Sequence, residues 1–279
     1  MTLPKSSDTN EFAWLTSARD DAAVELLEAA LSAGISPRHV IVVARPGARV
    51  RQIERLCNTA KISFCSMAPP AKVPTHAAAW LEGIPDQTVR QDVQERLVRS
   101  EFDRRLLKEL LAAKCRVVMM VGYMRMVTSV LRSGSVLVLN LHPSPPQGPV
   151  GKWQDVIWSS IAIRARLAGA MIHVATDDPD RGPVLSYCTV GIDDNELSPL
   201  WKGLDVELAS KNLDEIARER GEAHPLFRSI RQRQFLREGP LIIATLRRLI
   251  RGELKIEGQS ADGLCLNEDV ERIVAGFES

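Results

Sequence analysis

Three polar side chains of this 279-residue chain have the types and spacing to act together. Asn140 and His142 stand two residues apart at the end of an apolar run, Val136-Leu-Val-Leu139. Alternate side chains of an extended segment share a face, so the amide and the imidazole can converge on one reacting atom. An amide N–H can stabilise a developing oxyanion, and a histidine can move protons near neutral pH. Pro143 and Pro145 stiffen the segment after the histidine. A carboxylate would orient the imidazole and favour its charged form. Asp177, Asp178 and Asp180, in the turn Asp177-Asp-Pro-Asp-Arg-Gly-Pro183, are the candidates. A plainer reading stands beside this one: a strand-end histidine can simply cap or pack, and asparagine before prolines forms turns.

The elements that must position these residues read as an open α/β sheet. Phe12 to Thr16 is a short apolar run, and Ala22 to Ala33 has helical spacing up to Gly34. His39 to Ala44 is a β-branched run of the kind buried on both faces of a parallel sheet. Arg49 to Ala60 reads as a helix, and Met67 to Pro85 as a loop rich in Pro and Ala. An amphipathic helix spans Ser100 to Ala113, then buried strands lie at Val117 to Val121 and Val136 to Leu139. Trp153 to Arg166 is helical, and Met171 to Thr176 and Val184 to Ile192 are two more strands. This alternation implies a Rossmann-like, mostly parallel sheet over residues 1–193. Residues 194–279 form a helical C-terminal extension, interrupted near Glu222-Ala-His-Pro225 and Gly239-Pro240. The basic stretch Arg228 to Arg237 reads as a solvated helix face, with an anion-binding surface as the alternative. The tail Ile256 to Ser279 reads as a small packed appendage. Ligands of such sheets bind beyond the carboxyl ends of the strands, where the turns of Asn140 and Asp180 fall.

Composition excludes several function classes. Lys+Arg is 36 and Asp+Glu is 35, a net charge of +1, which gives no basis for general nucleic-acid binding. The five cysteines are scattered without CxxC spacing, so neither a metal knuckle nor a disulfide framework is expected, and no metal. No apolar run reaches the ~20 residues of a membrane span. The polar start lacks a signal-peptide core. The expectation is a cytoplasmic protein with no membrane partner.

Gly122-Tyr-Met-Arg-Met126, Leu139-Asn-Leu-His-Pro-Ser144 and His173-Val-Ala-Thr-Asp-Asp-Pro-Asp-Arg-Gly-Pro183 together resemble the core of the folate-dependent formyltransferase family. The pattern is most like the branch that formylates glycinamide ribonucleotide, and it covers roughly Phe12 to Ile192. The resemblance implies 10-formyltetrahydrofolate as formyl donor and a primary amine of a small molecule as acceptor. It implies catalysis by Asn140, by protonated His142 and by Asp180 raising the His142 pKa. It places the pterin against Met124, Arg125, Met126 and Val127 and the Asp177 to Arg181 turn, with His173 nearby. Ser144 and Lys152 would face the acceptor. A homodimer is compatible with the family.

Three departures from the family pattern bear on the acceptor. Where the ribonucleotide branch has a Ser-Gly-x-Gly-Ser-Asn phosphate loop, this chain reads Ser17-Ala-Arg-Asp-Asp-Ala22. It offers no glycine for close backbone approach, and its two carboxylates repel phosphate. The family's Ser-Leu-Leu-Pro run is replaced by Ser144-Pro-Pro-Gln-Gly-Pro-Val-Gly-Lys-Trp153, and Arg181 replaces a glycine. The expected activity is therefore formyl transfer to an amine other than the standard purine precursor. The alternatives are phosphoribosylglycinamide formyltransferase itself, 10-formyltetrahydrofolate hydrolase, and a folate-binding protein without turnover.

Overall fold

A computed structural model describes residues 12–69, 80–132, 136–254 and 263–276. Parts of the expected loop before Pro85 and of the C-terminal tail lie outside these residues, as does the polar start. The chain forms two compact units: Met1–Asn140 with Ala175–Asp178, and Leu141–Val174 with Pro179–Ser279.

The first unit is a parallel sheet flanked by helices. Its strands are β1 (Phe12–Thr16), β2 (His39–Val43), β3 (Ser63–Met67), β4 (Val117–Met120) and the start of β5 (Leu137–His142). They are ordered β3-β2-β1-β4-β5, and every pairing is parallel. β1, β2 and β4 are buried along their whole length, as continuous apolar runs require. The strand β3, which the sequence pattern does not announce, is an edge strand. Its SFCSM sequence is buried only at Met67 and carries no apolar run. Helices α1 (Ala22–Ser32), α2 (Ala48–Ala60) and α3 (Gln87–Ala112) flank the sheet, and a short helix α4 covers Ser129–Arg132. The helix α3 starts 13 residues before the expected Ser100. Its N-cap Asp86 accepts a hydrogen bond from Val89 N at 3.0 Å. That first half is polar, and only the later half buries Phe102, Leu106 and Leu110 against the sheet residues Leu15, Val118 and Val138.

The second unit holds β6 (Leu167–Val174) and β7 (Val184–Gly191), which pair antiparallel, and β8 (Leu264–Cys265), parallel to β7. The other helices are α5 (Trp153–Ala162), α6 (Ser198–Leu208), α7 (Leu213–Arg220), α8 (Pro225–Ile250) and α9 (Asn267–Val274). The interruption before Pro225 is present as a turn of 3-10 helix, but α8 runs unbroken through Gly239-Pro240. A mid-helix proline removes one hydrogen bond. Here the helix is held regardless, because Gly239 and Leu241 to Leu246 are all buried. In the basic stretch Arg228 is exposed, but the other three arginines are paired and mostly covered. Arg233 pairs with Asp194 and Glu196, Arg237 with Glu271, and Arg231 with Glu238. The Arg233 and Arg237 pairs staple the helix to its neighbours, the Arg231 pair lies within it, and none of those three guanidinium groups is left as a bare anion site.

The expected α/β fold, mostly parallel with C-terminal helices, is the fold observed. Among the described residues no helix is long and apolar enough to cross a membrane.

Candidate active site

In the second unit three of the expected residues meet. His142 ends β5 and is 2% exposed. Its Nδ1 lies 3.5 Å from Asp180 Oδ1, and His173 Nε2, from β6, lies 3.6 Å from the same oxygen. The two imidazoles stand edge to face, with centroids 6.4 Å apart. Asp180 occupies left-handed backbone at φ +56, a conformation aspartate tolerates better than most residues. That turn aims its carboxylate back at the two rings. Gly151 N donates to Asp180 Oδ2 at 3.4 Å.

His142 Nε2 donates to Pro149 O at 3.1 Å. A carbonyl only accepts, so that nitrogen carries the hydrogen and Nδ1 faces the carboxylate. The second proton, when it comes, goes to the nitrogen that Asp180 attends. Burial holds the His142 pKa below the ordinary histidine value, although Asp180 and Pro149 O pull it up; His173 and Arg181 add to the lowering. Asp180 thus raises the His142 pKa, as expected, but desolvation outweighs the carboxylate and disfavours the protonated ring expected at rest. Burial also pushes Asp180 up, but the His173 and His142 rings and Gly151 N–H outweigh it and hold the carboxyl below the usual range.

Other expected residues take varied places. Asn140 lies two residues before His142 on β5, in the first unit's share of the strand. Ser144 is fully buried, and a Cβ on Gly148 would fall 2.3 Å from its Oγ. Lys152 is the exposed residue that precedes α5, and Arg181 is exposed.

The first unit carries the remaining candidates at the carboxyl ends of β1 and β4, where the strand order reverses. Ser17 N donates to Gly122 O at 3.3 Å, and Met124 N donates to Ser17 Oγ at 3.1 Å. Gly122 sits at φ +60, which glycine adopts freely. These bonds set the start of the Met124 to Val127 segment. Its far end is held by the buried Asp103, which accepts from Thr128 N at 2.5 Å. Between those anchors Met124 is 40% and Met126 49% exposed, while Val127 is buried in the core. Exposed, polarisable methionines on a tied loop suit a flat heterocycle. Asp177 pairs with Arg132, and that bond holds its carboxyl below the usual range.

The loop after β1 is closed. Ala18 takes φ +47 with its N–H on Thr16 Oγ1, at 3.2 Å. Arg49 Nε donates to Asp21 Oδ1 at 2.6 Å, and Arg49 Nη1 to Arg19 O at 2.9 Å. Sequence reasoning missed Arg49, Arg132 and the Pro149 carbonyl. Backbone acceptors carry no residue signature, Arg49 reads as an ordinary helix charge, and Arg132 falls in a stretch to which the pattern assigns no element.

Two buried thiols are poor nucleophiles: burial pushes the Cys57 thiol up to about 11 and the Cys188 thiol up to about 12. Among the described residues no cluster of three His, Cys, Asp or Glu could hold a metal.

A family model described as "Formyl transferase" matches residues 12–199. A phosphoribosylglycinamide formyltransferase from Bacillus subtilis (strain 168) is 23% identical over 99 residues, 35% of this chain. That match spans 50% of the relative's own length. In structure, the chain is similar to phosphoribosylglycinamide formyltransferase from Bacillus halodurans, with a TM-score of 0.50 and 18% identity over 89% of this chain and 100% of that one. It is also similar to glycinamide ribonucleotide transformylase 1 from Symbiobacterium toebii, with a TM-score of 0.54 and 18% identity over 91% and 93%. At these identities the structural likeness concerns the fold.

Proposed function

Because the chain belongs to the formyl transferase family, we propose that it moves the formyl group of 10-formyltetrahydrofolate to a primary amine of a small molecule, through Asn140, His142 and Asp180. The observation that carries the reading is the buried His142 paired with the half-buried Asp180, 3.5 Å away, at the end of the strand that also holds Asn140.

In the proposed reaction the acceptor amine attacks the formyl carbon, and the carbonyl oxygen becomes an oxyanion. The Asn140 amide donates a hydrogen bond to it. His142 Nε2–H donates a second, once Pro149 O releases that nitrogen. The attacking amine's excess proton passes to the neutral His142 ring, where Asp180 stabilises the imidazolium that forms. Collapse of the intermediate breaks the bond from the formyl carbon to N10 of tetrahydrofolate. The proton returns to that leaving nitrogen, so the products are a formamide and tetrahydrofolate. A resting neutral ring suits this sequence, since it can accept a proton before it gives one.

The pterin would lie against the Met124 to Val127 segment, with Asp177, His173 and Arg181 completing the donor site. Ser144 would shape the acceptor side from beneath the loop, and Lys152 would face the acceptor. The acceptor is proposed to lack a phosphate, because the Ser17 to Asp21 loop is braced by Arg49 and presents carboxylates in place of open backbone N–H groups.

The test is spectrophotometric donor consumption by the full chain against a panel of amines that includes glycinamide ribonucleotide. Consumption that requires a non-phosphorylated amine supports the proposal. Consumption without any amine identifies a hydrolase, and activity with glycinamide ribonucleotide alone overturns the phosphate-loop argument. Donor binding without consumption identifies a protein that holds folate without turnover.

A further inference from the structure

We propose that Gln234, on the C-terminal helix α8, is a positioning residue for His142, acting through the turn that ends β5. The site it serves is the one proposed above, but the placement of the ring can be tested separately from the reaction.

The need for such a residue arises from the chain itself. β5 ends at His142, and Pro143 has no N–H to continue a ladder. Ser144 N closes back on His142 O at 2.9 Å, a three-residue turn with Pro143 at its centre. That turn leaves the Pro143 carbonyl outside the sheet bonding, directly after the imidazole. Gln234 is 1% exposed, and its side-chain amide donates to Pro143 O and, at 2.8 Å, to Gly169 O of β6. Both partners are carbonyls, which only accept, so the NH2 group must be the one facing them. One side chain therefore ties the residue after His142 to the neighbouring strand.

Packing alone does not account for a glutamine here. Gln234 Oε1 is buried and has no hydrogen-bond partner among the described residues. An orphaned buried acceptor is costly, and an apolar side chain of similar size would avoid it. What leucine or methionine could not supply is the pair of donors.

The helix is also stiff at this point. Arg233 reaches Gly191 O at 2.8 Å as well as Asp194 and Glu196, and Arg237 pairs with Glu271. Arg231 lies 4.7 Å from the Trp153 ring centroid and 4.7 Å from that of Phe235. Trp153 ends the loop whose Pro149 O accepts from His142 Nε2. The same two turns of α8 thus brace both the backbone after His142 and the loop over its ring.

The experiment compares wild type with Gln234→Leu and Gln234→Glu in the full chain. The His142 ring is followed through pH by NMR; five histidines make assignment by a His142→Gln spectrum simple. The groups that face the ring, Asp180, His173 and Arg181, are untouched. With its turn released, the ring in Gln234→Leu is expected to titrate closer to the ordinary histidine value, because it gains access to water. Turnover should fall about 10²-fold, the scale of a displacement near 1 Å, with donor KM changed less than about threefold. Gln234→Glu should behave like the leucine variant when ionised and recover part of the loss at acid pH, where the carboxylic acid can donate one bond.

Unchanged His142 titration and turnover within about twofold in both variants would overturn the proposal, whatever the melting temperature does. If Gln234→Leu does not fold, the glutamate variant and its acid recovery decide. A shifted titration in a protein that consumes no donor retains the positioning role and rejects the formyl-transfer reading. Normal turnover with an unshifted ring does the reverse.

Discussion

Asp180→Asn keeps size and shape and removes one charge from the proposed centre. The carboxylate oxygen lies 3.5 Å from His142 Nδ1, and the Asp180 side chain is 20% exposed. At that separation a pair of unit charges is worth roughly 5 kcal/mol at an effective permittivity near 20 and roughly 1 kcal/mol in bulk water. Partial exposure places the pair between these limits. At about 1.4 kcal/mol per factor of ten, the imidazolium formed during turnover loses about 10-fold to 10³-fold in stability. Turnover should fall by a factor in that range. The acid limb of the rate profile should move to lower pH, because Asp180 is the main neighbour that lifts His142 against burial. The assay is the initial rate of donor consumption at saturating amine across about pH 5 to 9, with donor KM recorded alongside. A loss below about threefold with the acid limb in place would refute the charge pairing, since even the aqueous limit exceeds it.

Two further outcomes concern stability. Burial lowers the pKa of His39, His142 and His224, so the unfolded chain takes up protons before the folded one does; the thermal midpoint should drop as pH falls below about 6.5, and a midpoint that is flat or rises from pH 7.5 to 5.5 would contradict this. Gly169→Ala places a Cβ 2.1 Å from Cys188 O across the β6–β7 pair, which should cost at least the ~1–3 kcal/mol of an overpacked core in chemical denaturation; an unchanged midpoint would show that the strands can part there.

The parts of the fold legible in the sequence are those with a strong period. β1, β2 and β4 are continuous apolar runs because both faces are covered, and each stands within a residue or so of its expected place. β3 was silent, since an edge strand needs no apolar run. The first half of α3 was silent for the same physical reason: a polar helix held by its cap and charge pairs shows no stripe. β6 begins at Leu167, four residues before its expected start, because the exposed Leu167 and the small residues Ala168 to Ala170 break the pattern. At Gly239-Pro240 tertiary burial overrode local propensity, and the helix continued. The candidate site shows the same division. The two-residue spacing of Asn140 and His142 and the turn of Asp180 were readable. The protonation of His142 was not, because the sequence shows the carboxylate and conceals the burial that outweighs it. Gln234 lies 91 residues beyond the carbonyl it holds, and no local pattern marks it.

The most direct measurement of the central claim is the rate of 10-formyltetrahydrofolate consumption by His142→Ala and Asn140→Ala beside the wild-type chain, with folding of each verified by circular dichroism. The account predicts an amine-dependent wild-type rate, a loss of ~10²–10⁴-fold for His142→Ala and a loss of ~10²–10³-fold for Asn140→Ala. Rates for both variants within about tenfold of wild type would contradict it, because a positioned proton carrier and an oxyanion donor each contribute more than that.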